Sequence, residues 1–166
     1  MAKDRDAAMA QAKVIMELQH MRRVIGPFNG TYAFLSNFYS TPHAPWQTAE
    51  HGYQAAKSMY LSVREEVLRA DTPGAAKRMG QRLEMRFDWR DVRYDEMYRI
   101  VLEKFKSDPA LAAKLVETGD ALLAEINYWR DGFWGIDCWG TIEAKTSVGK
   151  NHLGCILMIV RDKLRY

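Results

Sequence analysis

The sequence predicts a single, predominantly helical domain with a few short strands. At 166 residues and 48% hydrophobic content, the chain has the usual size for one compact domain with its own core. Apolar residues recur at helical spacing along most of the chain, and capping residues mark several helix starts. Residues 31–34 suit a strand, and residues 121–127 suit either a buried strand or a short helix.

A helical extension is predicted at the N-terminus, over residues 1–26, ahead of a domain at 27–166. One apolar stripe runs along it from Val14 to Ile25, and a Gly-Pro pair ends it. Such a stripe is typical of a helix that docks on the domain or on a second copy of the chain in a homodimer. Binding of a different partner is the alternative.

The first helices of the domain are predicted from their starts. Thr48 begins a helix that we expect to run to about Leu61. Ser62 and Glu65 then form a capping box for the next helix.

Later helices have equally local signals. Thr72 and Asp108 are each followed by proline, the pattern of a capping residue before the first helical position. Residues 89–106 predict a long helix with one apolar face. A last, almost wholly apolar helix from Asn151 is expected deep in the core, after a Gly-rich aromatic loop at 128–140.

Composition excludes several classes of function. The net charge of +3 is too small to imply nucleic-acid binding by electrostatics alone, although it permits a phosphate-bearing substrate. The four histidines lack metal-ligand spacing and Cys138 lies far from Cys155, so we expect free thiols, no metal and no cofactor. Because the N-terminal segment suits neither a signal peptide nor a membrane span, we expect a cytoplasmic protein without a membrane partner.

One helical row contains residues suited to catalysis. In the segment PWQTAEHGYQAAKSM, a helix would return to nearly the same direction seven residues after Glu50, at Lys57. Tyr53 and Gln54 fall between them on that face. A solvated helix face with a weak ion pair is the competing interpretation, and spacing alone does not exclude it.

The order of several motifs adds specificity. Six motifs follow one another from about Phe28 to Arg161. In chain order they are FLSNFYSTP, PWQTAEHGYQAAK, AAKRMG, a tryptophan with a helix ending in LEKF, DGFWG and GKNHLGCILMIVR. In this order they resemble the NADAR (YbiA-like) family of N-glycosidases. The resemblance implies an α+β, mostly helical domain that cleaves N-glycosidic bonds.

The resemblance and the helical row together give the predicted site. Its predicted catalytic residues are Glu50, Lys57 and Asp131. The predicted substrate-binding residues are Asn37, Phe38, Tyr53, Gln54, Arg82, Trp89, Trp134, Gly135 and Asn151.

The chemistry gives the acid and the amine distinct tasks. Cleavage of a C–N glycosidic bond develops positive charge at C1′, which the carboxylate of Glu50 would stabilise, or Glu50 would activate a nucleophile. Lys57 would stabilise charge as a cation or, with a lowered pKa, form a Schiff base with the opened sugar. Asp131 would hold ribose hydroxyls or the base, and a turn-initiating aspartate is the structural alternative.

Structural alternatives also exist for the predicted binding residues. Trp89 suits a core position as well as a pocket wall, whereas the Gly-flanked Trp134 is better placed to stack on a base or sugar. Asn151 suits a helix N-cap as well as a ligand contact. Arg82 belongs to a row with Arg78 and Arg86 that would face a phosphate if its helix continues past the intervening glycine, and a solvated face is the alternative.

Two departures from the family pattern bear on the pocket. Gly52 inside the predicted helix costs about 1 kcal/mol relative to alanine, so we expect a close neighbour such as a bulky substrate. The segment between Gly135 and Gly149 is longer than the family pattern and is expected to tune substrate choice.

Function is therefore predicted as hydrolysis of an N-glycosidic bond. An ADP-ribosylated guanine in nucleic acid is preferred, on the strength of the extended aromatic loop, over a ribosylaminopyrimidine phosphate of riboflavin synthesis. The alternative is a non-catalytic module that binds ADP-ribose or NAD. An acid and an amine kept together argue against a pure binder, because a buried charge is costly without a task.

Overall fold

The computed structural model describes residues 23–137 and 149–166. In these ranges the chain contains one 3-10 helix, six α-helices and four two-residue strands. The helices are Gly30–Leu35 (3-10), α1 Ala49–Ala55, α2 Leu61–Leu68, α3 Pro73–Arg82, α4 Trp89–Lys106, α5 Pro109–Glu117 and α6 His152–Leu164. The strands are β1 Val24–Ile25, β2 Leu122–Leu123, β3 Ile126–Asn127 and β4 Ile136–Asp137, and the β1–β2 and β3–β4 pairs are both parallel. The predicted α+β, mostly helical class is confirmed.

Two compact units make up the described chain. One comprises the described residues 23–36, 115–137 and 149–166, and the other comprises Asn37–Lys114. The second unit contains α1 to α4 and most of α5.

Within the unit of residues 37–114, α1 is the central element. Every residue of this helix is buried, and α2, α3 and α4 all pack against it. Small residues allow the close packing, because a Cβ on Gly52 would lie only 2.9 Å from the Trp46 ring. The neighbour expected at Gly52 is therefore a side chain of the protein, and the expected bulky substrate is not needed to explain this glycine.

The unit with both chain ends is organised around the short strands. β1 pairs with β2, and α6 packs against β2. Ala124, Ile126 and Ile136 form a small apolar cluster beside these strands. α6 is only partly buried, since Ile159 is 48% exposed, so the expectation that the whole helix lies deep in the core was wrong.

Local capping signals predicted several starts correctly. Thr48 is the N-cap of α1, and Thr72 accepts a hydrogen bond from Ala75 N–H at the start of α3. Asp108 accepts bonds from two backbone N–H groups at the start of α5. The long helix has the predicted bounds, with Met97, Val101 and Phe105 buried.

The strand predicted at residues 31–34 is a 3-10 helix. Hydrogen bonds run from Tyr32 N–H to the Asn29 carbonyl and from Ser36 N–H to the Ala33 carbonyl, each three residues back. Phe34 and Leu35 are both buried. Two buried neighbours in succession do not fit the alternation of a half-buried strand.

The helix from Thr48 is shorter than predicted. It ends at Ala55, and Lys57 N–H bonds to the Gln54 carbonyl three residues back, which tightens the last turn. The capping box at Ser62 is also absent, because α2 begins at Leu61 with Tyr60 in the N-cap position. Lys57 therefore lies two residues beyond the end of α1.

Most of the predicted N-terminal helix lies outside the described residues. Its predicted last turn is a strand, since Val24 and Ile25 pair with Leu122 and Leu123. Cys138 and most of the segment between Gly135 and Gly149 also lie outside them.

Candidate functional site

Two hydrogen bonds of the His51 side chain hold the first turn of α1 in place. Thr48 Oγ1 and His51 Nδ1 are 2.7 Å apart, and His51 Nε2 lies 3.0 Å from the Ala70 carbonyl. A carbonyl only accepts, so Nε2 carries the proton and Nδ1 accepts from the threonine hydroxyl. Both ring nitrogens of this buried histidine thus have structural partners, and we assign it no catalytic task.

Glu50 follows in the same turn, and its side chain is only 6% exposed. Gln54 Nε2 donates to Glu50 Oε1 over 2.7 Å, and Glu50 N–H donates to the Asn37 carbonyl over 3.0 Å. The carboxylate is therefore oriented from one side by an amide of its own helix. A buried and oriented carboxylate exerts a strong electrostatic effect on any charge that develops beside it.

Gly80 of α3 contacts two of the predicted site residues. A Cβ at this position would overlap Gln54 Oε1 and lie 2.8 Å from Gln54 Cβ, so only a glycine fits there without movement. The Gly80 carbonyl also accepts a hydrogen bond from Lys57 Nζ at 3.3 Å. One residue of α3 thus supports both the amide that orients Glu50 and the amine.

Lys57 is brought to the site by the turn after α1. Its amine lies 5.7 Å from the centre of the Tyr53 ring. Burial is the main cause that lowers the pKa of Lys57, the charge of Glu50 raises this pKa, and the charge of Lys77 lowers it further. Lys57 lies two residues beyond the end of α1, and its amine nevertheless contacts the Tyr53 ring and lies within electrostatic range of Glu50.

Aromatic residues form one side of this cluster. The Tyr53 and Trp89 rings are tilted against each other with centroids 5.1 Å apart, and both residues are buried. Trp89 therefore occupies a core position next to Tyr53. Phe38, by contrast, is 45% exposed, and the amine of Lys77 lies 5.9 Å from its ring centre.

Asn37 has one free polar atom in a buried position. Its Nδ2 donates to the Met97 sulfur at 3.4 Å, whereas its Oδ1 has no hydrogen-bond partner among the described residues. A buried acceptor without a partner costs free energy, so a donor group of a ligand is one way to satisfy it.

The predicted arginine row is only partly realised. Helix α3 does continue past Gly80 and ends at the exposed Arg82. Arg86 lies beyond it and forms ion pairs with Asp88 at 2.5 Å and with Glu96 at 3.4 Å. The hydrogen bond that Arg86 donates to the Asp88 carboxylate is the main cause that raises the pKa of Arg86. Arg86 is therefore engaged in structural ion pairs and is not part of a phosphate-facing row.

The other unit contains Asp131, Trp134, Gly135 and Asn151. Asp131 Oδ1 accepts from Phe133 N–H at 3.2 Å and from Trp134 N–H at 2.9 Å, which is the geometry of a turn-forming aspartate. The Trp134 ring is half-buried and packs edge-on against Phe133, with centroids 4.8 Å apart.

Gly135 and Asn151 have structural contacts in the same unit. Gly135 packs so tightly on the Glu125 carbonyl that a Cβ would overlap it. Asn151 occupies the N-cap position of α6 with φ of 51°, but its side chain does not cap the helix. It donates to the Leu123 carbonyl at 2.8 Å and accepts from Glu125 N–H at 3.0 Å. Asn151 thus connects β2 and the residues after it to the start of α6.

A lysine that the sequence did not single out lies in the core of the unit of residues 37–114. Lys104 of α4 is 1% exposed, and its amine lies 5.8 Å from the centre of the Tyr39 ring and 5.2 Å from that of Phe105. Burial lowers the pKa of Lys104 to about 7. The motif LEKF contains this residue, but nothing in its local pattern distinguishes it from a surface lysine.

Two negative findings apply to residues 23–137 and 149–166. In these ranges no group of three or more His, Cys, Asp or Glu side chains is arranged to hold a metal ion. None of the helices there is long and apolar enough to cross a membrane.

The fold, the buried acid and the partly buried amine define a mostly helical α+β domain with a candidate hydrolytic site, and comparison with known proteins identifies its family. A model of the NADAR domain matches residues 26–165. The chain is 34% identical over 139 residues to N-glycosidase YbiA of Escherichia coli, and the aligned region covers 80% of this chain and 82% of that protein. It is 35% identical over 145 residues to an N-glycosidase of Nostoc punctiforme, with 81% and 86% covered. The chain belongs to the NADAR family, as the sequence motifs predicted.

Two further comparisons concern length and fold. A riboflavin biosynthesis protein of Vibrio vulnificus is 37% identical over 140 residues, but the chain spans only 36% of that protein. The NMR structure of E. coli YbiA matches with a TM-score of 0.73 and 31% identity, over 86% of this chain and 85% of that one. Relatives that match over most of their length are named N-glycosidases, so the expectation of a glycosyl hydrolase is confirmed at that level.

Proposed function

We propose that the chain hydrolyses the N-glycosidic bond between a ribose and a nitrogen base, with Glu50 as the central residue. The observation that supports this most is a buried carboxylate, oriented by Gln54, within electrostatic range of the amine of Lys57. Cleavage of the bond leaves positive charge on C1′ and the ring oxygen of the sugar. A carboxylate fixed in a site of low polarity stabilises that charge without having to reorganise.

Two chemical routes follow from these groups. In the direct route, Glu50 accepts a proton from water while the water oxygen bonds to C1′, and the base leaves with the electron pair of the C1′–N bond and takes a proton from solvent. In the covalent route, the neutral amine of Lys57 bonds to C1′ as the C1′–N bond breaks, a proton passes from this amine to the departing base, and ring opening gives an imine. Water then adds to the imine, which releases the sugar and restores the amine. The lowered pKa of Lys57 supports the covalent route, because only the neutral amine is a nucleophile.

Reductive trapping distinguishes the two routes. Borohydride added during turnover reduces an imine to a stable amine, so the covalent route predicts a sugar adduct on Lys57 by mass spectrometry. The adduct should disappear in Lys57→Arg and persist in Lys114→Arg, a control at an exposed position of α5. Turnover without any adduct would contradict the imine and leave the direct route.

The substrate is proposed to be a ribosylaminopyrimidine phosphate or an ADP-ribosylated guanine in nucleic acid. The names of the Vibrio vulnificus relative and of a maize relative, both riboflavin biosynthesis proteins, favour the first. The preference for the second rested on a loop that lies largely outside the described residues. A panel assay distinguishes the two substrates. It measures release of the base from the ribosylaminopyrimidine phosphate and release of ADP-ribose from a modified oligonucleotide.

The family motifs and the sequence support further proposals. A catalytic role for Asp131 and substrate-binding roles for Trp134, Gly135 and Asn151 are proposed, as the family motifs imply. We propose a cytoplasmic location and a homodimer formed through residues 1–26. A non-catalytic module that binds ADP-ribose or NAD is the competing function. It would be favoured if wild type bound ADP-ribose but turned over neither substrate of the panel.

A further inference from the structure

A second amine lies beside the proposed catalytic pair. Lys77 is on α3, one turn before Gly80, whose carbonyl accepts the hydrogen bond from Lys57 Nζ. Its own amine lies 5.9 Å from the ring centre of Phe38. Helix α3 therefore places Lys77 beside the exposed ring of Phe38 and within electrostatic range of Lys57, all in the same unit.

The charges of this group do not balance. Among the described residues, Lys77 forms no ion pair with a carboxylate, and the contact seen for its amine is the Phe38 ring. The charge of Lys77 acts on Lys57 strongly enough to lower its pKa, and Glu50 is the acid that acts on Lys57 in the opposite direction. Glu50 offsets only one positive charge: when Lys57 is protonated an anion would neutralise the excess, and when Lys57 is the neutral nucleophile Lys77 still has no carboxylate in ion-pair contact among the described residues.

The chemistry of that anion follows from the neighbouring groups. A lysine ammonium is a compact charge that suits phosphate, and a phosphate ester has about two negative charges and three acceptor oxygens near neutral pH. The half-exposed ring of Phe38 offers an apolar surface for a sugar or a base beside the phosphate. If the contact between Lys77 and Phe38 were only a surface cation–π pair, it would not need the amine of Lys57 or the buried acid Glu50 beside it.

We propose that Lys77 and Phe38 form a phosphate subsite beside Glu50 and Lys57, which binds the phosphate on the 5′-oxygen of the substrate's ribose. This inference rests on the proposed N-glycosidase function and extends it to the part of the substrate away from the scissile bond. A 5′-phosphate is shared by a ribosyl-base phosphate and by the diphosphate of ADP-ribose, so the subsite serves either substrate class. It also explains why a chain of nearly neutral charge would bind an anionic substrate.

Kinetics on matched substrates provide the first test. The quantity to measure is the ratio of kcat/KM for a ribosyl-base 5′-phosphate to that for the same compound with a free 5′-hydroxyl. Lys77→Met keeps the aliphatic stem over Phe38 and removes the charge, so it should lower this ratio by about 10-fold to 100-fold, mainly through KM. Lys77→Arg should retain most of the ratio, and Lys114→Met, at an exposed site on α5, should leave it unchanged.

Direct binding provides a test that does not depend on turnover. Ribose 5-phosphate and ADP-ribose are titrated separately into wild type and Lys77→Met, with backbone amide NMR shifts as the readout. Saturable shifts in wild type that weaken at least 10-fold in Lys77→Met support the subsite, even if no substrate is turned over and the hydrolase proposal fails. Equal affinity in the two proteins, or turnover with an unchanged phosphate preference, would overturn the subsite and leave the hydrolase proposal standing.

Discussion

Replacing Gly80 by alanine tests whether α3 positions the proposed catalytic groups. The new Cβ would overlap Gln54 Oε1 and lie 2.7 Å from Gln54 Cδ and 2.8 Å from its Cβ. Rotation of the amide alone does not relieve the contact with Gln54 Cβ, so either Gln54 moves away from Glu50 or α3 moves away from α1. Either change disturbs the bond between Gln54 and Glu50, and the second also disturbs the bond from Lys57 to the Gly80 carbonyl.

Opposing effects should keep the loss of stability small. Alanine in a helix interior is about 1 kcal/mol more favourable than glycine, and overpacking a core typically costs about 1–3 kcal/mol. The free energy of unfolding of Gly80→Ala should therefore fall by roughly 0–2 kcal/mol. Loss of a hydrogen bond to a charged group is worth about 1.5–3 kcal/mol, so kcat/KM should fall by about 10-fold to 100-fold.

Denaturant unfolding and steady-state kinetics on the same preparations provide the assay. Gly74→Ala is the matched control, because the nearest atom to its new Cβ, Arg78 Nη1, is 3.6 Å away and the residue lies in the same helix. This control should retain both stability and activity. The double variant Gly80→Ala with Gln54→Ala should recover only part of the lost stability, because alanine removes the overlapping amide but keeps the Cβ 2.8 Å away, and it should not recover activity. Wild-type kcat/KM in a stably folded Gly80→Ala would refute the positioning role.

Two further substitutions test the structural assignments. Lys104→Met should raise the free energy of unfolding at pH 7 by on the order of 3 kcal/mol, because it removes an amine whose pKa in the folded state, about 7, is far below the 10.5 of an exposed lysine. The unfolded chain binds the proton of Lys104 more tightly than the folded chain, so the stability of wild type should rise between about pH 7 and 10.5. Urea unfolding across this range should show that rise in wild type and not in Lys104→Met. Asn151→Ala should lower the free energy of unfolding by about 1–3 kcal/mol, since it removes the bonds to Leu123 and Glu125. If Asn151→Ala unfolds in denaturant with the same free energy as wild type, these two bonds do not stabilise the fold and Asn151 has another role.

Local signals determined which elements the sequence could predict. The starts of α3 and α5 were predicted because Thr72 and Asp108 bond to backbone N–H groups only two or three residues away. The long helix α4 was predicted in full because its apolar period is sustained over 18 residues. Glu50 was predicted from motif order, which no property of the isolated helix could have supplied.

Contacts between distant segments decided the features that were missed. The end of α1 at Ala55, where the chain turns toward Lys57, has no proline or glycine to announce it. Gly52 is explained by Trp46, six residues earlier in sequence, and Gly80 by Gln54 on another helix. Burial of Lys104 follows from the tertiary packing of α4 and not from its residue type. Such packing overrides local propensity, which is why the surroundings of the site had to come from the structure.

The proposed role of Glu50 is tested most directly by kcat/KM of Glu50→Gln, measured beside wild type on whichever panel substrate wild type hydrolyses. Glutamine has nearly the same shape and can still accept the bond from Gln54, so unfolding in denaturant should be close to wild type and confirm that the fold is intact. The carboxylate charge is lost, and we expect kcat to fall by at least about 100-fold while the Kd for substrate changes little. A Glu50→Gln protein that turns over substrate at the wild-type rate would contradict the assignment of Glu50 as the central residue of this site.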